Sequence, residues 1–570
     1  MQQNNNYDYF GNFIRDLIFK FKNKGTTPAP KASFSGFLKL FIPLAIIYWL
    51  FLAINNDFIL NLRLGLFNFI LPVIVSCLIY GFIKLNKKFM LTGGGILIVY
   101  IILVIIFSPL ISTQAQRNLI GTVNEVNFSD QIQPVDLNQL PVVNQALAQT
   151  LADKKLGSIQ GLGSQVTVGT MTLQSVNGKL VYVGPLEPSS FIKWIFNDGT
   201  PGYVVVSATN PNDTELVTEL NGKPLNLKYL NSAYFFDNIQ RWAYLKDPTC
   251  GHMDFTFELN DQGVPYWVVT RYTAAIGIDE QKVIGTEIIN AETGETKIYN
   301  VQDTPSWVDR IQPKSIITRH LNKWGELVHG IFNFSGRDKL QTTQGMNMIY
   351  NDGQCYFYTG LTSVGADQSL VGFTLTNTRT GKTIMYKTSG ATEEAAMQSA
   401  EGKVQQFGYK ATFPYLINIQ NQPTYFMTLQ DATGLVKQYA MVNVKNYSIV
   451  AVGTSLQQTL NSYLEEISSN NISLQGSDKS NSTISGSISR IGLVIDNGNS
   501  TYEVKLNDSD KIFSVPTSTS KDVAISQVGD KVNVNYINIG DNRYMLVNGF
   551  VNDTLTPNAK METKETENIQ

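Results

Sequence analysis

The sequence predicts an α+β fold: three N-terminal transmembrane helices, then tandem units of a helix on an antiparallel sheet, then a small β-barrel. Three observations carry this. Apolar residues gather in runs of about twenty near the N-terminus, the length a helix needs to cross a bilayer. The rest of the chain is polar, rich in Asn, Gln, Thr, Ser and Tyr, and punctuated by hairpin turns. One pattern of strands and turns, clearest from Pro265 to Tyr299, returns about ninety residues later and again after that.

At 570 residues the chain exceeds a single domain. Its net charge of −2, from 44 basic and 46 acidic residues, supplies no global field for nucleic acid, which is not expected as a partner. Of the three cysteines none lies in a CxxC pair, so neither a zinc knuckle nor a thioredoxin-like site is indicated. Cys77 sits in an apolar run and reads as a small buried residue. Cys250 and Cys355 could form one disulfide if their domain faces an oxidising space.

Residues 1–36 form the leader, expected to be cytoplasmic. From Tyr9 to Lys22 bulky apolar residues recur at helical spacing among Arg15, Lys20 and Lys22, which predicts an amphipathic basic helix. Such a helix either lies on an anionic leaflet or only fixes topology. Three spans follow within 37–111: Phe37 to Asn55, Leu64 to Ile83 and Met90 to Ile111. Gly93-Gly94-Gly95 would allow close helix packing. Basic residues set the orientation. The leader carries five, Lys84, Lys87 and Lys88 lie between the second and third spans, and Asn55-Asn56-Asp57 carries none. The N-terminus is therefore expected inside, and everything after residue 111 outside the cell membrane. No span holds facing carboxylates or a central charge, so nothing supports ion conduction.

Residues 112–138 read as a tether. Four units follow at 139–230, 231–312, 313–390 and 391–467. Their helices are expected at Leu140 to Leu156, Ser232 to Lys246, Lys314 to Ile331 and Thr392 to Phe407. Each is followed by two hairpins, with turns such as Asn177-Gly178, Asn351-Asp352-Gly353 and Asn421-Gln422. A period of this length implies units with small cores of their own. Ser455 to Ile467 is a further amphipathic helix that either caps the last sheet or starts a fifth unit. A polar linker (468–482) leads to five short strands within 483–552, which suggest a small barrel of OB or SH3-like type. The charged tail, 553–570, is expected to be disordered.

The repeats match residue by residue. Tyr266-Trp267-Val268-Val269-Thr270 corresponds to Tyr356-Phe357-Tyr358-Thr359 and to Tyr425-Phe426-Met427-Thr428. Thr293-Gly294-Glu295 corresponds to Thr380-Gly381-Lys382. At these residues the chain resembles the PepSY domain family, over roughly 140 to 455. The resemblance implies extracytoplasmic α+β modules, each a helix packed on a curved antiparallel sheet, and an association with cell-envelope proteins. In some members of that family it implies restraint of peptidases. The acidic residue that usually opens the turn is Asn here, at Asn290 and Asn377. The resemblance brings no catalytic residue with it.

Residue chemistry adds little. His320 and His329, nine apart on one expected helix, would point to opposite faces and share no metal. No G-x-S-x-G elbow is present, and Gly161-Leu162-Gly163 precedes a strand rather than a helix. No catalytic, cofactor or metal residue is assigned. The segment from Trp324 to Lys339 concentrates aromatic and polar character, which makes Trp324, His329, Phe332, Phe334 and Arg337 candidate partner contacts. The leading expectation is a non-enzymatic, membrane-anchored binding or assembly scaffold. It would meet the lipid bilayer and another envelope protein or wall component, with self-association left open. A regulator of an envelope peptidase or wall enzyme, and an extracytoplasmic hydrolase, stand as alternatives.

Overall fold

The computed structural model describes residues 32–126, 140–277, 280–351, 353–365, 369–419, 421–470, 481–496, 499–517, 519–537 and 544–555. The expected leader helix, most of the linker and nearly all of the tail lie outside the described residues. Three long apolar helices come first: α1 (Phe34–Ile54), α2 (Leu62–Ile83) and α3 (Lys87–Phe107), each long and apolar enough to cross a membrane. Each opens on a polar cap. Ser33, Asn61 and Asn86 accept the orphan backbone N–H groups of their first turns. Gly93 lets α3 approach α2: a Cβ there would stand 3.0 Å from that of Cys77, whereas Gly94 and Gly95 face open space. The third helix stops at Phe107, short of the expected Ile111. Ser108 caps a new helix, α4 (Pro109–Arg117), whose first residue has no N–H to continue the old one.

Four antiparallel sheets follow, each running in chain order from one edge to the other. Sheet I holds Val166–Val168, Thr172–Val176, Lys179–Pro188, Tyr203–Ser207 and Thr214–Val217. Sheet II is Gly251–Leu259, Pro265–Ile276, Glu280–Asn290 and Thr296–Asn300. Sheet III is Leu340–Thr342, Asn347–Asn351, Gln354–Ser363, Ser369–Asn377 and Thr383–Ala391. Sheet IV is Lys410–Ala411, Tyr415–Ile419, Gln422–Gln430, Val436–Asn443 and Val450–Gly453. Helices α5 (Gln145–Gly157), α6 (Phe191–Phe196), α7 (Ile239–Lys246), α8 (Lys314–Glu326), α9 (Glu393–Lys403) and α10 (Leu456–Ser469) interleave with them.

Successive residues of a strand point to opposite faces, and here both faces are covered. In sheet IV, Tyr425, Met427 and Leu429 pack with Tyr358 and Phe373 of sheet III, over Ala396 and Ala400 of α9. Phe426, between them in sequence, points the other way and packs with Tyr182, Leu186 and Val204 of sheet I, together with α5 and α10. In sheet II, Trp267 and Val269 meet Val183 and Tyr203 of sheet I and Ile239 and Ala243 of α7. Val268 and Ile288 meet Val308, Ile311 and Ile316 on the opposite side. Helix α8 then bridges to sheet III, where Ile317 and Leu321 pack on Cys355 and Phe357. Sheet I thus adjoins II, II adjoins III, III adjoins IV, and IV returns to I. The result is a closed ring with the layout of a four-bladed propeller, with helices wedged between the blades. Each core belongs to two neighbours, rather than to one unit as the repeat length suggests.

Several boundaries differ from expectation for local reasons. Helix α5 begins at Gln145 rather than Leu140, because Asn144 accepts from the Leu147 N–H. Helix α7 begins at Ile239 rather than Ser232, where Asn238 caps it. Helix α8 ends at Glu326, and beyond it His329 and Gly330 are left-handed, with φ of 60° and 79°. Part of the expected tether is ordered. Val123–Val126 pairs in parallel with Thr383–Tyr386 and covers the edge of sheet III. The disulfide is not made: Cys250 and Cys355 are free and buried. Cys250 contacts the Asp247 carboxylate beside sheet II, while Cys355 lies in the core between α8 and sheet III.

The ring sits directly on the membrane helices. Arg241 and Tyr244 of α7 donate to the carbonyls of Ile54 and Phe58, both at 2.8 Å. The Leu60 N–H donates to the Pro248 carbonyl at 2.7 Å. Gly277, at the end of a sheet II strand, lies against the Phe107 ring. Beyond the ring, five strands close into a barrel in the order Asn481–Asp496, Asn499–Leu506, Ile512–Pro516, Tyr544–Asn552, Lys531–Ile537. The contact between Ile512–Pro516 and Tyr544–Asn552 is parallel.

Candidate functional site

Residues of all four sheets, with the start of α5, line a cavity of about 590 Å³. Sheet I supplies 170–173, sheet II 254–256, sheet III 346–348, and sheet IV Thr412, Phe413 and Tyr415. Threonine hydroxyls alternate with aromatic and methionine side chains around the wall. The charged groups come from one side: Asp254, Arg310 and Lys314.

Local geometry explains their placement. Asp254 has a left-handed backbone, φ 54°, at a bulge opposite Val268 to Thr270. A bulge re-aims the side chain it carries. Its carboxylate lies 3.2 Å from Arg310. Lys314 opens α8, and its ammonium donates to a neutral partner, the Met346 carbonyl. Burial, then the Arg310 charge, push the Lys314 pKa down. Behind the wall Glu258 is fully buried. One oxygen accepts from Thr256 Oγ1 at 2.7 Å, and the other has no hydrogen-bond partner. Burial pushes its pKa up to about 8, against the opposing pull of Thr256 and Arg310. Nearby, Asp309 accepts from the Ser175 N–H and the Tyr350 hydroxyl. The cavity can therefore hold a group with apolar or aromatic flanks and an anionic end, met by a lysine that has no anion of its own at the Met346 carbonyl.

A second polar cluster lies under sheet II, next to the membrane helices. Arg271 pairs with Asp247, and the His252 Nε2 lies 3.1 Å from Glu287 Oε2 and 3.9 Å from Cys250 Sγ. Burial raises the Asp247 pKa, but hydrogen bonds from Thr249 and Arg271 outweigh that and hold it at about 2. Burial pushes the Cys250 thiol up to about 12, the Asp247 charge adding to it while Arg271 opposes. A thiol so disfavoured as thiolate is a poor nucleophile. The same imidazole nitrogen faces both thiol and carboxylate, which suits a packed polar core better than a proton relay. Among the described residues no group of three or more His, Cys, Asp or Glu is placed to hold a metal ion.

The five residues singled out in sequence separate. Trp324 is part of α8 and packs against the core that contains Phe357, with the Arg117 guanidinium 5.9 Å from its ring. The other four lie in the loop after that helix. His329 Nε2 is 2.9 Å from Asp338 Oδ2. Phe332 and Phe334 are 74% and 89% exposed, their rings edge-on at 6.1 Å. With Arg337 they line a shallow recess. His320, by contrast, is buried, with Nε2 3.1 Å from the Gln281 carbonyl, and burial pushes its pKa down to about 4. The cavity residues were not singled out in sequence. The signal they left is small: Asp254 and Glu258 are acidic residues in the strand HMDFTFEL, among Met253, Phe255, Phe257 and Leu259.

No family model and no curated protein sequence matches the chain. Among solved structures, a levansucrase of B. megaterium aligns at 8% identity and a TM-score of 0.17, covering 72% of this chain and 96% of that one. A GH32 beta-fructofuranosidase of Bombyx mori aligns at 10% identity and a TM-score of 0.18, covering 71% and 68%. The polysaccharide lyase Uly1 aligns at 9% identity and a TM-score of 0.17, covering 66% and 75%. At such TM-scores the likeness carries no argument about fold or activity.

Proposed function

We propose that this membrane-anchored chain is a non-enzymatic binding or assembly protein of the cell envelope, with its ring and barrel on the outer side. In this reading the four sheets and their helices are copies of one PepSY-like unit, and the barrel is of the OB type. The supporting observation is the central cavity, to which every sheet contributes residues and in which Arg310 and Lys314 stand. A site shared by four repeats favours capture of one ligand or partner segment on the axis. Its cationic side favours an occupant with a carboxylate or phosphate end. The outer location is supported by the lysines at Lys84, Lys87 and Lys88 against the uncharged pair Asn55-Asn56 and Asp57 on the other side. A hydrolytic role finds less support, because the buried thiol nearest a histidine is pushed up to about 12.

The test places a photo-crosslinking residue at Met348 or Phe413 in the full-length protein in its own cells, followed by mass spectrometry of the adducts. A defined adduct is expected at both positions, with a yield at least five-fold lower in a Lys314→Glu background. Adducts with water alone, or a yield indifferent to Lys314→Glu, would remove the cavity as the binding site. Protease added to intact cells is expected to cut within the ring. Full protection there, with a label reaching the leader from outside, would reverse the sidedness.

A further inference from the structure

The ring carries an apolar patch that the cavity reading does not use. Helix α6, FIKWIF, belongs to the connection between two strands of sheet I, and it leaves Ile192, Ile195 and Phe196 63%, 55% and 83% exposed. The turn before α7 belongs to the neighbouring repeat and leaves Phe235 and Phe236 60% and 65% exposed. The two elements form one surface. The Phe191 ring meets Tyr234 edge-on at 4.9 Å, and Trp194 lies 5.9 Å from Phe235. Single exposed apolar residues are ordinary on a protein surface, but a contiguous group of this size marks a contact.

The position of the patch names its occupant. Helix α7 starts at Ile239, immediately after the turn, and its Arg241 donates to the carbonyl of Ile54, the last residue of the first membrane helix. Phe236 lies five residues before Arg241, which makes that bond. The same helix is held again at Phe58 by Tyr244. The patch is therefore continuous with the end of a membrane span. Lys193 lies within α6, and Lys228, paired with Asp198 at 3.2 Å, lies close to Asp237 of the turn. Aromatic rings with basic residues beside them make up the interfacial zone of a bilayer.

We propose that α6 and the Phe235–Phe236 turn form a second, monotopic membrane contact, entering the headgroup–acyl boundary of the leaflet at which α1 ends. The ring is already fixed to the spans at Ile54, Phe58 and Leu60, so insertion orders little that is not ordered already. The inference is independent of which side of the membrane the ring occupies and of what the cavity binds.

The test uses the full-length protein in nanodiscs of phosphatidylcholine and phosphatidylglycerol. A nitroxide is attached at Phe196→Cys, at Phe236→Cys or at Tyr447→Cys, the last an exposed position on sheet IV, which does not adjoin sheet II in the ring. The unsubstituted chain taken through the same labelling corrects for Cys77, Cys250 and Cys355, which are buried. Paramagnetic relaxation by oxygen, which partitions into lipid, is compared with that by a water-soluble nickel complex. The oxygen-to-nickel ratio at positions 196 and 236 is expected to exceed that at 447 at least three-fold. Equal ratios at the three positions would overturn the proposal. So would immobilised spectra at 196 and 236 that lack oxygen enhancement, since these would put protein rather than lipid on the patch.

Discussion

Glu258 is the residue whose surroundings make the sharpest demand. It is buried beside the central cavity with one oxygen unpartnered, and its pKa is pushed up to about 8. The folded chain therefore keeps a proton that the unfolded chain releases near the ordinary carboxylate pKa of about 4.5. The stability that comes with this proton is complete below about pH 4.5 and is lost as pH rises through about 8. At 1.36 kcal/mol per pK unit the loss by pH 8 is at most about 4 kcal/mol. Glu258→Gln keeps an acceptor for Thr256 Oγ1 and removes the titration. The variant should melt with a Tm nearly flat in this group's contribution between pH 5 and 8, and at pH 8 it should exceed the parent by several degrees. A parent and variant whose Tm values run parallel across that range would mean Glu258 is ionised in the fold.

At the scale of elements, the sheets repeat a glycine device. Gly285 lies beside a register shift, with φ 153°, and a Cβ there would stand 1.9 Å from the Tyr299 carbonyl oxygen on the outer strand. Gly202 meets the Val217 carbonyl in the same way in sheet I, also at 1.9 Å, and Gly372 meets that of Tyr386 at 2.6 Å in sheet III. Backbone cannot swing aside as a side chain can, so Gly285→Ala should cost about 3 kcal/mol or more. Gly402→Ala in α9, where no atom lies within 4 Å of the added carbon, should be neutral or slightly stabilising. Thermal melts of the two detergent-solubilised variants would check the contrast, and equal Tm values would deny the clash.

Legibility from sequence follows the same physics. The spans are readable because a bilayer demands a length of apolar chain, and hairpins are readable where a left-handed residue is required, as at Asn177-Gly178 and Gly294. Helix starts are misjudged where a cap decides them, as at Asn144 and Asn238. The candidate site is hardly readable at all. Its residues come from many distant segments, and only the folded ring brings Asp254, Lys314 and Tyr415 to one cavity. The 329–337 loop drew attention because its aromatic residues are local in sequence.

For the whole molecule, the consequence of the ring is shared cores. Tyr425-Phe426-Met427 is apolar at consecutive positions, which a sheet with one wet face would not tolerate and a sheet covered on both faces requires. Phe426 faces sheet I, whereas its two neighbours face sheet III. Loss of any one interface therefore leaves two sheets each with a bare face, and the ring must open with it. Phe426→Ala weakens the closure between sheets IV and I, and Trp267→Ala that between II and I. Each should cost about 3–5 kcal/mol. If cores were private to units, each substitution would melt one unit early and leave the others at the parental temperature. Shared cores predict instead that the ring's calorimetric transition moves down as one peak in both variants, by several degrees. A split peak in either variant, with part of the ring's enthalpy left at the parental Tm, would show that the blades fold alone and that closure of the ring adds little to their stability.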